Sequence, residues 1–433
     1  MVANPISAPP QKSGARRIGW VIMWVISIGL LAFLILSLVI RFITPIQTFR
    51  LRVIQDIPLP SALPDPNRTP QNPVAPGPAV RFDHFDFQAL DPQTHLLFIN
   101  HSGPAPDDLN TVNIQVNALD DGNVVVFNTM TRQVVKLLRI PQTAGISLAS
   151  DIHWMYDSDG QDGIIYGVDE STFRTVQINL DPNDGPDASA YDPVDHRLFV
   201  SDPGMPISDT NMNIALKNQN VAVIDVLHNT LITKIPLGVD KPFGDDVGHV
   251  QYDPTSHRVY VVTLPLSDQN ILPNPPVTPP SFVDVIDPVQ LKVIAKIRLP
   301  DACIGPHGMV VDPAQEIAFV ACVENDKLVR VNLQTLQPFP DATLLQTLPG
   351  CDIVRLDSTL HVLFIGCAPG IVMFNEAGGQ LTSLGAQSVG GNDHTVFIDE
   401  QTQLVYVPNA NAGERPILRI LQYVPNGTDL PPT

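Results

Sequence analysis

From about residue 80 onward, short apolar runs alternate with polar turn clusters in a unit of roughly 40–60 residues. Each unit opens with a short apolar run that ends in Asp, often Asp-Pro. These ends fall at Asp91, Asp157, Asp192, Asp253, Asp312, Asp357 and Asp399, which predicts seven units. A turn follows, then a second run such as "LLFINHS" (96–102), "RLFVSD" (197–202), "RVYVVT" (258–263), "IAFVAC" (317–322), "VLFIGC" (362–367) or "LVYVPN" (404–409). These runs are rich in β-branched and aromatic residues between turn residues, so they predict strands. Unit two, about 150–181, departs from the pattern and is one strand short. The last unit, His394 to Val424, has three strands, and "TFRLRVIQDIP" (48–58) matches the missing fourth.

The third and fourth strands are the most distinctive. They read "NVVVFNTMTRQVVKLLRIP" (123–141), "NVAVIDVLHNTLITKIPLG" (220–238) and "FVDVIDPVQLKVIAKIRLP" (282–300), with a weaker copy at "KLVRVNLQTL" (327–336). These hairpins resemble those of the YVTN family of seven-bladed β-propellers, over roughly residues 80–425. The resemblance implies an all-β fold, a seven-bladed β-propeller. A strand from 48–58 would complete the last blade and remove two open sheet edges.

Residues 18–40, "IGWVIMWVISIGLLAFLILSLVI", carry no charge. As a helix they span about 35 Å, enough to cross a bilayer. The run is long for the apolar part of a cleaved signal peptide, and no A-x-A-like site follows it. The expected organisation is a cytoplasmic tail (1–17), a transmembrane signal anchor (18–41), a propeller (44–425) and a flexible tail (426–433). The propeller would include the closing strand 48–58 and a Pro-rich loop at 59–79. Basic residues flank the span almost evenly, so orientation rests on other grounds: a short N-terminal tail before a large domain places that domain outside the cytoplasm.

Proline is abundant, at 43 residues, which favours turns over long helices. Residues 1–41 hold four basic side chains and no acidic ones, which leaves −23 of the net −19 for the rest. Such a surface repels phosphate backbones and argues against nucleic acid as a partner. The four cysteines, Cys303, Cys322, Cys351 and Cys367, contain no C-x-x-C pair. Counting outward from the blade turns places Cys351 opposite Cys367, and Cys322 near Pro306. Disulfides 303–322 and 351–367 follow as the expectation, with Cys322–Cys351 between blades, or four reduced core thiols, as competitors. "DSDGQDG" (157–163) reads as an Asp-Gly hairpin rather than a calcium loop, since it lacks the EF-hand glutamate and spacing. Asn67, Asn100 and Asn426 fit the N-x-S/T glycosylation pattern.

The histidines fall into two registers. His95, His196, His257 and His361 lie four residues after a first-strand Asp, in the turn, where a rim residue bonding to backbone is expected. Five residues before that Asp lie Asp86, Asp187, His307, Asp352 and His394. His153 and His249 lie four before theirs. In a propeller the seven first strands begin around the axis at one face, so these residues form a candidate ring. Strand alternation sets positions four and five on opposite faces unless a bulge intervenes. The loops 101–123, 202–220 and 264–281 would wall the same mouth.

A ring of imidazoles and carboxylates can bind a divalent metal, for which His307, His394 and Asp352 are the candidate ligands. It can supply a general acid and base, with His307 and His394 as the catalytic candidates. It can also simply hydrate a tunnel. The leading expectation is a membrane-anchored binding or scaffolding module. It would take a small ligand or protein partner through Asp86, His153, Asp187, His249 and Asp352. The alternative is a propeller enzyme of lactonase or lyase type using the same axial residues, possibly with a divalent metal. Fold alone decides neither.

Overall fold

The computed structural model describes residues 49–60, 85–102, 122–160, 162–204, 219–237, 245–265, 280–344, 348–368, 370–390, 394–410 and 416–428. The expected tail 1–17, anchor 18–41, most of the Pro-rich loop and the chain beyond 428 lie outside the described residues. So do the central parts of the three mouth loops. Among the described residues no helix is long and apolar enough to cross a membrane.

The described residues form seven four-stranded antiparallel sheets. Their innermost strands touch one another in cyclic order, and the first meets the last. This is a seven-bladed β-propeller. The innermost strands of blades 1 to 7 are Phe85–Asp91, Thr143–Ala149, Ser189–Asp192, Asp245–Asp253, Pro306–Asp312, Cys351–Asp357 and Phe397–Asp399. Blade 7 has an outer strand from the other end of the chain: Phe49–Pro58 pairs antiparallel with Ile417–Thr428. Two Asp56–Arg419 contacts at 2.7 and 2.8 Å clamp that pairing. Gln387 of blade 6 accepts from the backbone N–H groups of Arg50 and Leu51 and donates to the Leu51 carbonyl.

Burial explains the sequence pattern. Second strands such as Leu96–Ser102 and Ile317–Cys322 are buried at every position, because adjacent blades cover both faces. They therefore read as unbroken apolar runs. The outer strand Lys292–Arg298 alternates exposed and partly buried positions, and its sequence alternates with it. The Asp that ends each first strand folds the turn. Asp91, Asp192, Asp253, Asp312, Asp357 and Asp399 each accept a hydrogen bond at 2.8–3.0 Å from the backbone N–H two residues on.

Blade 2 corrects the sequence reading. It has four strands, Thr143–Ala149, Trp154–Asp159, Ile164–Asp169 and Thr175–Asn179. Its first strand ends at Ala149, with no Asp to mark it. Asp157 is a buried residue of the second strand, where it accepts hydrogen bonds from Thr143 Oγ1 at 2.8 and 2.9 Å. The segment 157–163 is the hairpin between strands two and three. Asn100 is fully buried in its strand, so that N-x-S site is closed to a glycan.

Candidate functional site

The candidate mouth is built by a bulge repeated around the ring. In blades 1, 2, 4, 5 and 6 the first strand slips register near its start, between Phe85 and Gln88, Thr143 and Ile146, Val247 and Val250, Pro306 and Met309, and Cys351 and Val354. Two residues there oppose one on the second strand. The first bulge residue is Asp86, Ala144, Gly248, His307 or Asp352. Strand-end counting puts Asp187 and His394 at the matching places in blades 3 and 7. The bulges need close backbone contact between blades. A Cβ on Gly308 would lie 1.9 Å from the Asp352 carbonyl oxygen, and one on Gly248 2.6 Å from that of His307.

Asp352 is the hub. Its Oδ1 lies 3.1 Å from His307 Nδ1 and 3.8 Å from His249 Nε2, and its Oδ2 lies 3.9 Å from His394 Nε2. His394 Nε2 is also 3.6 Å from Asp86 Oδ1. Residues from blades 1, 4, 5, 6 and 7 thus meet across the axis. Burial opposes ionisation of Asp352, but His307, His249 and His394 outweigh it and hold the carboxyl well below the usual range.

His249 sits at the second bulge position, where Gly248 leaves the first without a side chain. The bulge is what brings a residue of the other register into the cluster. Its ring packs 4.8 Å from Phe87 and 5.2 Å from His307, centroid to centroid. Burial pushes its pKa down to about 4, so it is neutral at neutral pH. The Met309 backbone N–H donates to its Nδ1 at 3.2 Å. The proton of the neutral ring is therefore on Nε2, which makes His249 a donor aimed at Asp352 and removes it as a metal ligand in this arrangement. In contrast, His307 Nδ1 faces a carboxylate that can only accept, so Nδ1 is the nitrogen that donates to Asp352.

Two groups of ligand atoms lie within 4.8 Å of one another at the axis: His249, His307 and Asp352, and Asp86, Asp352 and His394. The tautomer of His249 favours the second. Asp187 lies at the matching position just ahead of the first strand of blade 3 and is partly buried, but neither group includes it.

His153 does not belong to the mouth. It is a turn residue with φ 56°, at the same place as His95, His196, His257, Glu316, His361 and Gln403, whose φ values run from 50° to 57°. The misplacement follows from taking Asp157 as a strand end. The turn histidines also do more than bond to backbone. His153 lies 3.8 Å from Asp91, His196 3.5 Å from Asp151, His257 3.3 Å from Asp192, and His361 3.0 Å from Glu376. The first three of these carboxylates belong to the preceding blade.

The disulfides are Cys303–Cys322 and Cys351–Cys367. Cys351 directly opposes Cys367, and Pro306 opposes Cys322. Each bridge pins the start of a first strand beside a mouth residue, Asp352 in one blade and His307 in the other.

No protein-family model matches the sequence, and no curated protein matches it. Solved structures match the fold. Kuenenia stuttgartiensis hydrazine synthase aligns with a TM-score of 0.55 at 12% identity, over 78% of this chain and 96% of that one. The RRP9 WD40 repeats align at 0.55 and 10% identity, over 80% and 96%. The Myceliophteria thermophila Cps50 (Swd1) β-propeller domain aligns at 0.54 and 10% identity, over 80% and 98%. At these identities the likeness is one of fold, shared by an enzyme and by WD40 proteins.

Proposed function

We propose that this protein is a binding module with YVTN-type repeats, anchored by residues 18–41 outside the cytoplasm. Its axial mouth would hold a divalent first-row metal ion that receives a small ligand or a partner side chain. Asp86, Asp352 and His394 are the ligands. The observation that carries this reading is His394 Nε2 at 3.6 and 3.9 Å from two carboxylates of different blades. Two carboxylates and an imidazole nitrogen this close together form a donor set that a divalent cation can bridge. An ion with bonds of about 2.0–2.2 Å sets tetrahedral ligand atoms roughly 3.4 Å apart, so shifts of about half an ångström per side chain would close the set. Mixed nitrogen and oxygen donors suit zinc and its neighbours. The two disulfides support an oxidising compartment.

Zinc titration of chelator-stripped protein by calorimetry tests this. One ion per chain is expected, with affinity reduced at least about tenfold in His394→Ala and in Asp86→Asn. Absence of zinc binding, or equal affinity in all three proteins, would end the metal reading.

One contact favours the enzymatic alternative. Asp352 orients His307 at 3.1 Å, as a carboxylate orients a general base. Turnover of a γ- or δ-lactone that His307→Gln abolishes would place the protein among propeller enzymes.

A further inference from the structure

Below the His and Asp cluster the axis opens into a cavity of about 300 Å³. Phe87 lines it and packs against His249, so the ring of Phe87 separates the two levels. The size is at the lower end of small-ligand pockets. Polar groups line it, including Gln88, Ser147 and Gln251, together with apolar side chains such as Ile146, Leu148 and Phe397. The layer is nearly neutral. Register from the strand ends places Ala89, Ser147, Ala190, Gln251, Val310 and Phe397 at the position that blade 6 fills with Arg355.

Arg355 is anomalous here. Lys234, Lys296 and Arg419 each meet a carboxylate, of Asp184, Asp284 and Asp56. Arg355 meets none among the described residues. Its Nη2 donates to the Gln88 carbonyl at 2.8 Å, and its guanidinium lies 5.4 Å from the Phe397 ring centroid. Its Nε is buried without a hydrogen-bond partner, as is Gln88 Oε1. Burial pushes the guanidinium pKa down to about 10, so it remains charged at neutral pH. A half-buried cation without a counter-ion carries a desolvation cost, and this one sits in a chain of net charge −19.

The geometry points to a second ligand site in this cavity, for a small monocarboxylic acid whose carboxylate pairs with Arg355 and whose short apolar body lies against Phe397, Ile146 and Leu148. A planar guanidinium matches a carboxylate fork. Gln251 can bind a hydroxyl or a water carried with the ligand. The site is independent of the metal reading, because it uses none of the same side chains.

The test uses the full chain in chelator, titrated with butanoate and, separately, with butanamide. Saturable binding of butanoate is expected, at least about tenfold tighter than butanamide, and weakened about tenfold to a hundredfold in Arg355→Gln. If Arg355→Gln fails to fold, the butanoate–butanamide difference in the wild type decides alone. Equal response to the two probes overturns the assignment. So does a response to chloride that butanoate cannot compete away, which would mean an inorganic anion. Butanoate binding that appears only when zinc is restored, and survives in Arg355→Gln, belongs to the axial ion and also overturns it.

Discussion

Gly308 stands between His307 and the backbone of the next blade, and its hydrogen is the largest group that fits. A Cβ there would lie 1.9 Å from the Asp352 carbonyl oxygen, closer than any non-bonded contact allows. Because the contact is backbone, no side-chain rotation relieves it. Gly308→Ala is expected to lower stability by about 1–3 kcal/mol in denaturant titration. It should also weaken zinc binding, since the displaced segment carries Asp352. Unchanged stability would mean that the blades sit further apart than described. In the stretch "GPHGMVVDP" (305–313) a glycine follows the mouth residue His307, as a crowded axis requires. The tautomer of His249 was not visible, because it depends on a hydrogen bond from Met309, sixty residues away in sequence.

At the scale of strands and turns, the repeat was readable wherever one residue marks a geometric event. Asp ends a first strand because its carboxylate caps the turn, and counting from it placed both disulfides. Blade 2 puts Ala149 at that position, so the count slid to Asp157 and carried His153 into the wrong register. The same turns clasp the blades. Glu170 follows the third strand of blade 2 and accepts from Thr94 of blade 1 at 3.1 Å. Glu376 takes the equivalent place in blade 6 and bonds Gln315 of blade 5. Burial, then the neighbouring Asp91, raises the Glu170 pKa to about 8. A carboxyl whose folded pKa is raised holds its proton while the unfolded chain loses it. Stability therefore falls as pH rises from about 4.5 to about 8 and levels off above that. Glu170→Gln should remove this slope and stabilise the protein at pH 8–9 by up to a few kcal/mol. Parallel stability–pH curves for wild type and variant would show that Glu170 ionises normally.

For the whole molecule, closure is the decisive feature. Blade 7 takes its outer strand from residues 49–58, so the two ends of the described chain are joined by a ladder of backbone hydrogen bonds and by Asp56–Arg419. Without that strand, Ile417–Thr428 becomes an open edge, and Gln387 of blade 6 loses its partners at Arg50 and Leu51. A chain lacking residues 1–47 should keep a single cooperative unfolding transition. A chain lacking residues 1–58 should aggregate or melt at distinctly lower temperature, and a synthetic peptide of residues 48–58 should restore part of the loss. Equal melting of both truncations would show that closure rests on blade contacts alone. The same strand sets the geometry relative to a bilayer. If residues 18–41 cross it, the seven residues 42–48 reach at most about 25 Å, which keeps blade 7 next to the membrane surface. Proteolysis confined to 42–48 should then release an intact propeller that still binds zinc, because cleavage there leaves both the closing strand and the axial residues in place.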